Sequence, residues 1–221
     1  MGAFEKAPEA PASGLKNAGE KASILSAEAA VAVRPFKTYR ALAAHRNERT
    51  WADLGRALVL EGVFLGAMVS FTTAGRLVIT HVVLTAVFWG FLPLLQIGAV
   101  VAAARVVAPN EKPIATASLY FEGLGPYYVF YLVLSAICLF SPHVYTTFTA
   151  LLRVGALPLY LLGTVLWGMV VTWAFWREAL GLSRGRAALG CGVFYSIFVG
   201  TIVGWYLAMN EIQPQIVGTS S

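Results

Sequence analysis

The sequence predicts an all-α polytopic membrane protein, a bundle of five transmembrane helices with one or two cytoplasmic interfacial helices. Three observations predict it. Five apolar stretches are each long enough to cross a bilayer. Of all residues 58% are hydrophobic and only 12% charged, with mean hydropathy +0.70, which would leave a soluble chain of this size short of polar surface. Fourteen of the sixteen Lys and Arg residues fall on one side of the membrane those stretches define.

The stretches are read by length. A hydrocarbon core about 30 Å thick needs roughly 20 residues rising about 1.5 Å each, because every backbone amide must be satisfied within the helix. The runs are Leu58 to Ala74, Leu77 to Ala104, Leu124 to Phe140, Gly155 to Trp176 and Ala188 to Met209. Only Arg76 and Arg153 occupy the alternate connections. Basic residues beside spans are retained in the cytoplasm during insertion, so the expected location is the inner (cell) membrane, with the N-terminus cytoplasmic and the C-terminus outside.

Three regions are expected. Residues 1–33 are rich in Ala, Glu, Lys, Gly and Pro, bury too little apolar surface to offset their ordering entropy, and read as a disordered or weakly helical cytoplasmic tail. Residues 34–209 form the five-helix transmembrane domain, and 210–221 a short polar C-terminal tail. After Pro35, the residues Phe36, Tyr39, Leu42 and Ala43 recur at helical spacing among Lys37, Arg40 and Arg46. This pattern predicts an interfacial helix with Phe36 and Tyr39 at the acyl boundary, the competing reading being a connector of chance amphipathicity. A turn at Pro109, Asn110 and Pro113 precedes a second surface helix from Ile114. Pro126 and Pro158 are expected to bend spans three and four.

A polar side chain in hydrocarbon is costly and faces a partner or a water path, so the few present are the candidates for chemistry. Glu61 lies about one turn inside span one, where it could pair with Arg56, and Gln96 is the deepest strongly polar residue of span two. His81 and Glu122 lie near span ends. For both Glu61 and Gln96 a structural role, as snorkelling acid or interhelical glue, competes with a ligand role. His45, His81 and His143 lie on separate segments, and Cys138 and Cys191 stand near opposite ends of different spans. No metal, cofactor, disulfide or catalytic residue is therefore expected. Phosphate-loop, nucleophile-elbow and zinc-protease motifs do not occur. Glycines serve packing instead: Gly155, Gly163 and Gly168 in span four, and Gly190, Gly192, Gly200 and Gly204 in span five, let backbones approach. Trp51, Trp176 and Trp205, with Tyr127, Tyr128, Tyr145 and Tyr206, are expected as interface anchors.

The formal charge of +5 and pI near 9.4 point to anionic lipid before nucleic acid, because the bases are dispersed along the chain and follow topology. Lys37, Arg40, Arg177, Arg184 and Arg186 are the candidate surface for lipid or a partner protein.

The run Pro-Phe-Lys-Thr-Tyr-Arg-Ala-Leu at Pro35 to Leu42, the amphipathic loop between spans two and three, and the link Trp176-Arg-Glu-Ala-Leu-Gly-Leu-Ser-Arg-Gly-Arg-Ala187 resemble prokaryotic members of the Yip1-domain integral membrane proteins. The resemblance covers roughly residues 35–209. It implies five spans and a non-catalytic role; eukaryotic relatives are associated with Rab GTPases, membrane curvature and vesicle traffic. No acidic or aromatic docking motif matches those proteins, so GTPase binding does not carry over. The leading expectation is a non-enzymatic scaffold or accessory protein that organises membrane lipid or partner proteins, self-association included. The alternative is a small transporter or channel with a polar path near Gln96.

Overall fold

The computed structural model describes residues 26–140 and 157–217, with side chains from Ala27 to Phe140 and from Leu157 to Leu207. His143, Tyr145, Arg153 and Gly155 lie outside the described residues. Among those described, the chain is helical from α1 (Ser26–Val33) and α2 (Pro35–Ala43) through α3 (Trp51–Ala74), α4 (Ile79–Phe88) and α5 (Phe91–Val107). It continues through α6 (Pro113–Phe121), α7 (Gly125–Phe140), α8 (Leu157–Ala174) and α9 (Arg184–Val217). Five helical segments, Trp51–Ala74, Ile79–Val107, Pro113–Phe140, Leu157–Ala179 and Arg184–Leu207, are long and apolar enough to cross a membrane.

Local chemistry sets where each begins and ends. The first long helix starts at Trp51, seven residues before the apolar run, because the Thr50 N–H donates to the Asp53 carboxylate at 2.8 Å and caps the first turn. It stops at Gly75, whose left-handed φ of 66° only glycine adopts cheaply. Ser70 then holds the turn: its hydroxyl donates to the Arg76 carbonyl at 2.8 Å and accepts the Val78 N–H at 2.7 Å.

The second apolar run, counted above as one span, is two helices, α4 and α5, with a break at Trp89 and Gly90. Pro93 explains the break, since a proline ring clashes with the carbonyl four residues back, which here belongs to Trp89. The chain adjusts by closing a shorter bond, Leu92 N–H to Trp89 C=O at 3.0 Å. Pro126, expected to bend span three, is the second residue of α7 and follows directly on the 3-10 turn at Glu122–Leu124, while Pro158 is the second described residue of α8.

The third segment is central. It buries 44% of its most apolar window, against 17% for the second and fifth. The expected surface helix from Ile114 is therefore a core element: α6 is buried from Ala115 through Phe121 and runs through a 3-10 turn at Glu122–Leu124 into α7. The main apolar core gathers at the end of the bundle where α1 and α2 pack, around Tyr39, Phe121, Phe175, Trp176 and Phe194. Two expectations change accordingly. Tyr39 does not face an acyl boundary but stands edge-on to Phe175 at 5.8 Å, while Phe36 remains exposed. Trp176, expected as an interface anchor, is fully buried in a π-helical turn (Phe175–Ala179), against the space that Gly190 leaves. Trp51, Trp205 and Tyr206 are exposed. The helical region also reaches past 34–209 at both ends: α1 buries Glu28 and Val31, and α9 continues to Val217.

Glycine divides into two uses. Gly66, Gly168 and Gly190 admit Val82, Tyr127 and Trp176, whereas Gly163, Gly192, Gly200 and Gly204 face open space. A Cβ at position 66 would lie 2.9 Å from the Val82 backbone. Gly66→Ala should therefore cost about 1–3 kcal/mol by overpacking α3 on α4, while Gly192→Ala should stay within about 0.5 kcal/mol. Thermal unfolding of both variants in detergent checks this, and equal responses would contradict the packing.

Candidate functional site

The densest polar chemistry is a cluster of buried charges where α1, α3 and the α6–α7 turn meet. Glu122, on the 3-10 turn, is only 3% exposed. Its Oε1 accepts Arg49 Nη1 at 2.6 Å and Arg56 Nη2 at 3.3 Å. Arg56 also donates to Oε1 of Glu28 at 3.0 Å, and Glu28 is 2% exposed on α1. An isolated buried carboxylate costs several kcal/mol, so it persists only when paired. Burial is the larger influence on Glu28 and, with the negative charge of Glu122, raises its pKa above the usual carboxylate value despite a backbone hydrogen bond and Arg56 and Arg49. Burial likewise holds the Tyr39 phenol well above its ordinary range.

Outer pairs staple the N-terminal segment to two connections. Arg46 reaches Glu111 at 3.0 Å and the Ala179 carbonyl at 3.3 Å, and Arg40 donates to Glu178 at 2.9 Å. The Arg40 side chain is 74% exposed, so water and salt screen this pair and it adds little to stability.

The candidate basic surface is thus split. Lys37, Arg184 and Arg186 are exposed, and Arg40 is exposed but engaged by Glu178. Arg177 is half-buried and donates to the Leu182 carbonyl across the Gly181 turn, which gives it an internal role. Arg184 and Arg186 open α9, where the helix dipole disfavours positive charge, so something other than helix stability keeps them there.

Glu61 and Gln96 come together. They line one cavity of about 190 Å³ with Tyr120, Tyr127, Tyr128, Tyr131, Phe194 and Tyr195. Leu124, Tyr127, Tyr128 and Tyr131 share a face of the third segment by their spacing, and Phe194, Phe198 and Ile202 do so on α9. Phe64 stacks on Tyr128 at 4.8 Å and Tyr120 lies tilted against Phe194 at 5.1 Å, which fixes the walls. Tyr195 donates to Thr172 at 3.2 Å. Glu61 Oε2, Gln96 Oε1 and the Tyr128 hydroxyl are buried without a hydrogen-bond partner among the described residues. Arg56, the expected partner of Glu61, donates to Glu28 and Glu122.

Sequence reasoning missed Glu28, which reads as one acid in an Ala-rich tail, and took Tyr127 and Tyr128 for interface anchors. The signals available were the surplus of arginines before the first span, which require carboxylate partners when buried, and the Tyr-Tyr-x-x-Tyr spacing at helical period. The cysteines are free, and no group of three potential metal ligands occurs among the described residues. No family model, curated protein or solved structure matches this chain.

Because the folded pKa of Glu28 is raised from 4.5, its contribution to stability is full below that value and is lost as pH rises through the folded pKa. Thermal midpoints of the wild type and Glu28→Gln, taken from about pH 4.5 to 8, should diverge with the wild type falling relative to the variant. Parallel curves would contradict the assignment.

Proposed function

We propose that this chain is a multi-pass protein of the inner membrane, N-terminus cytoplasmic and C-terminus outside, acting without catalysis as a scaffold or accessory protein. The resemblance to prokaryotic Yip1-domain proteins supports the same reading. The observation that carries it is a surplus of free positive charge at one end of the bundle. Arg34, Lys37, Arg105, Lys112, Arg184 and Arg186 are exposed there, while Glu28, Glu111, Glu122 and Glu178 are withdrawn into pairs. Each base beside an anionic leaflet contributes about 1 kcal/mol, so this end seats on phospholipid headgroups.

The helix faces support assembly. Ala188, Gly192, Ser196, Gly200 and Gly204 follow one another at four-residue intervals on α9 and are all exposed, with open space over the three glycines. A ridge of small residues lets a second helix approach closely in lipid.

A small transporter or channel is the second reading, favoured by Glu61 and Gln96 sharing a cavity. The adjoining cavity of about 290 Å³, toward Leu134 and Leu157, is lined by Leu65, Met68, Phe130 and other apolar groups, so the polar lining does not extend that way.

Fluorescence energy transfer between labelled copies in vesicles of about 30% anionic lipid separates these readings. The scaffold reading expects self-association that Gly200→Leu abolishes. Monomers under all conditions, with no copurifying membrane protein and with solute flux sensitive to Gln96→Leu, would overturn it.

A further inference from the structure

The cavity shared by Glu61 and Gln96 has walls and polar groups that select one kind of occupant. Its unpartnered buried atoms are Glu61 Oε2, an acceptor, Gln96 Oε1, an acceptor, and the Tyr128 hydroxyl, which can donate or accept. Glu61 is 6% exposed, so an ionised carboxylate there is desolvated and lacks a cation on that oxygen. Among the described residues, no lysine, arginine or histidine lines the cavity. An anion is therefore disfavoured, and an apolar molecule would leave the acceptors unsatisfied.

The remaining surface is aromatic. Ring faces attract cations through their quadrupole, most strongly where water is excluded, so tyrosines around a carboxylate suit an organic ammonium. A bare metal ion fits less well, because among the described residues Glu61 is the single carboxylate of the lining and much of the wall is ring carbon. The two acceptors call for N–H donors, which a primary or secondary ammonium has and a quaternary one lacks. At about 190 Å³ the space matches about six non-hydrogen atoms if each takes the share of a liquid water, about 30 Å³.

Access is available from the side. Glu61 also lines a recess of about 250 Å³ with Thr85, Trp89, Gly90 and Pro93, at the break between α4 and α5. Trp89 and Leu94 there are exposed, so the carboxylate stands between the inner cavity and the bundle surface.

We propose that this cavity is a binding site for a small protonated organic amine, with Glu61 as counter-ion, Gln96 as hydrogen-bond acceptor and Tyr120, Tyr127, Tyr128 and Tyr131 as the aromatic walls. The inference rests on the cavity and not on the assembly role, and it requires occupancy, not passage.

The test uses full-length protein in nanodiscs with cyclohexylammonium as probe, its neutral isostere cyclohexanol and tetramethylammonium as controls, read by calorimetry and by thermal midpoint. Cyclohexylammonium should bind saturably and raise the midpoint, and both controls should bind at least about tenfold more weakly, a difference of about 1.4 kcal/mol. Glu61→Gln removes the charge at constant shape, so it should keep its own midpoint while losing at least about tenfold in affinity. Should that variant fail to fold, Gln96→Leu serves instead, with a smaller expected loss. Binding unchanged by either substitution would mean partition of the amine into lipid only. That result, equal binding of cyclohexanol, displacement by sodium alone, or no saturable binding would each overturn the proposal, and none of them bears on self-association through α9.

Discussion

Glu122 sits within the apolar interior of the bundle with nearly all its surface covered, and a carboxylate in that position is tolerable only while two guanidiniums stay beside it. That requirement organises the end of the molecule where α1 and α2 pack. Arg49 precedes the capped start of α3 and Arg56 lies within it, so the entry angle of α3 is tied to the turn between α6 and α7. Glu28 completes the arrangement by engaging the second guanidinium, which docks α1. Tyr39 then closes over the space left by Gly123, and the π-helical turn supplies Phe175 beneath it. Charge neutralisation, helix entry and aromatic packing are one constraint here rather than three.

The polar cavity follows from that geometry. With the third segment pinned by Glu122, its Tyr127, Tyr128 and Tyr131 face are turned toward α3 and α9, where Glu61 and Phe194 meet them. The break at Trp89 and Gly90 offsets α5 from α4 and brings Gln96 to the same space. A bundle can leave such oxygens without internal partners only if what it loses in stability is offset elsewhere or if an occupant satisfies them. The small-residue ridge on α9 spans the same stretch of that helix as the cavity-lining Phe194, Phe198 and Ile202.

The five long helices were legible because hydrocarbon thickness imposes a length that composition alone can meet. Glu61 and Gln96 were legible for the complementary reason, since a polar group in such a segment stands out. What pairs with what was not. Glu28 is surrounded in sequence by alanines, and only the fold shows that α1 is buried. Proline is ambiguous in sequence: Pro93 lies in the first turn of α5 just past the break at Trp89 and Gly90, and Pro126 just past a 3-10 turn, so neither sits inside a regular α-helix. Trp176 lies at a span end as an interface anchor would, yet Gly190 makes room for it inside. Such long-range complementarity has no local signature.

Glu122 and Arg49 are mutually necessary. A double-mutant cycle with Arg49→Met, Glu122→Gln and the pair, followed by reversible unfolding in mixed micelles, measures it directly. Each single substitution should lose about 3–5 kcal/mol by stranding the partner's polar group, and the double variant should recover much of that loss, a coupling of at least about 2 kcal/mol. Additive losses, with coupling near zero, would contradict the account.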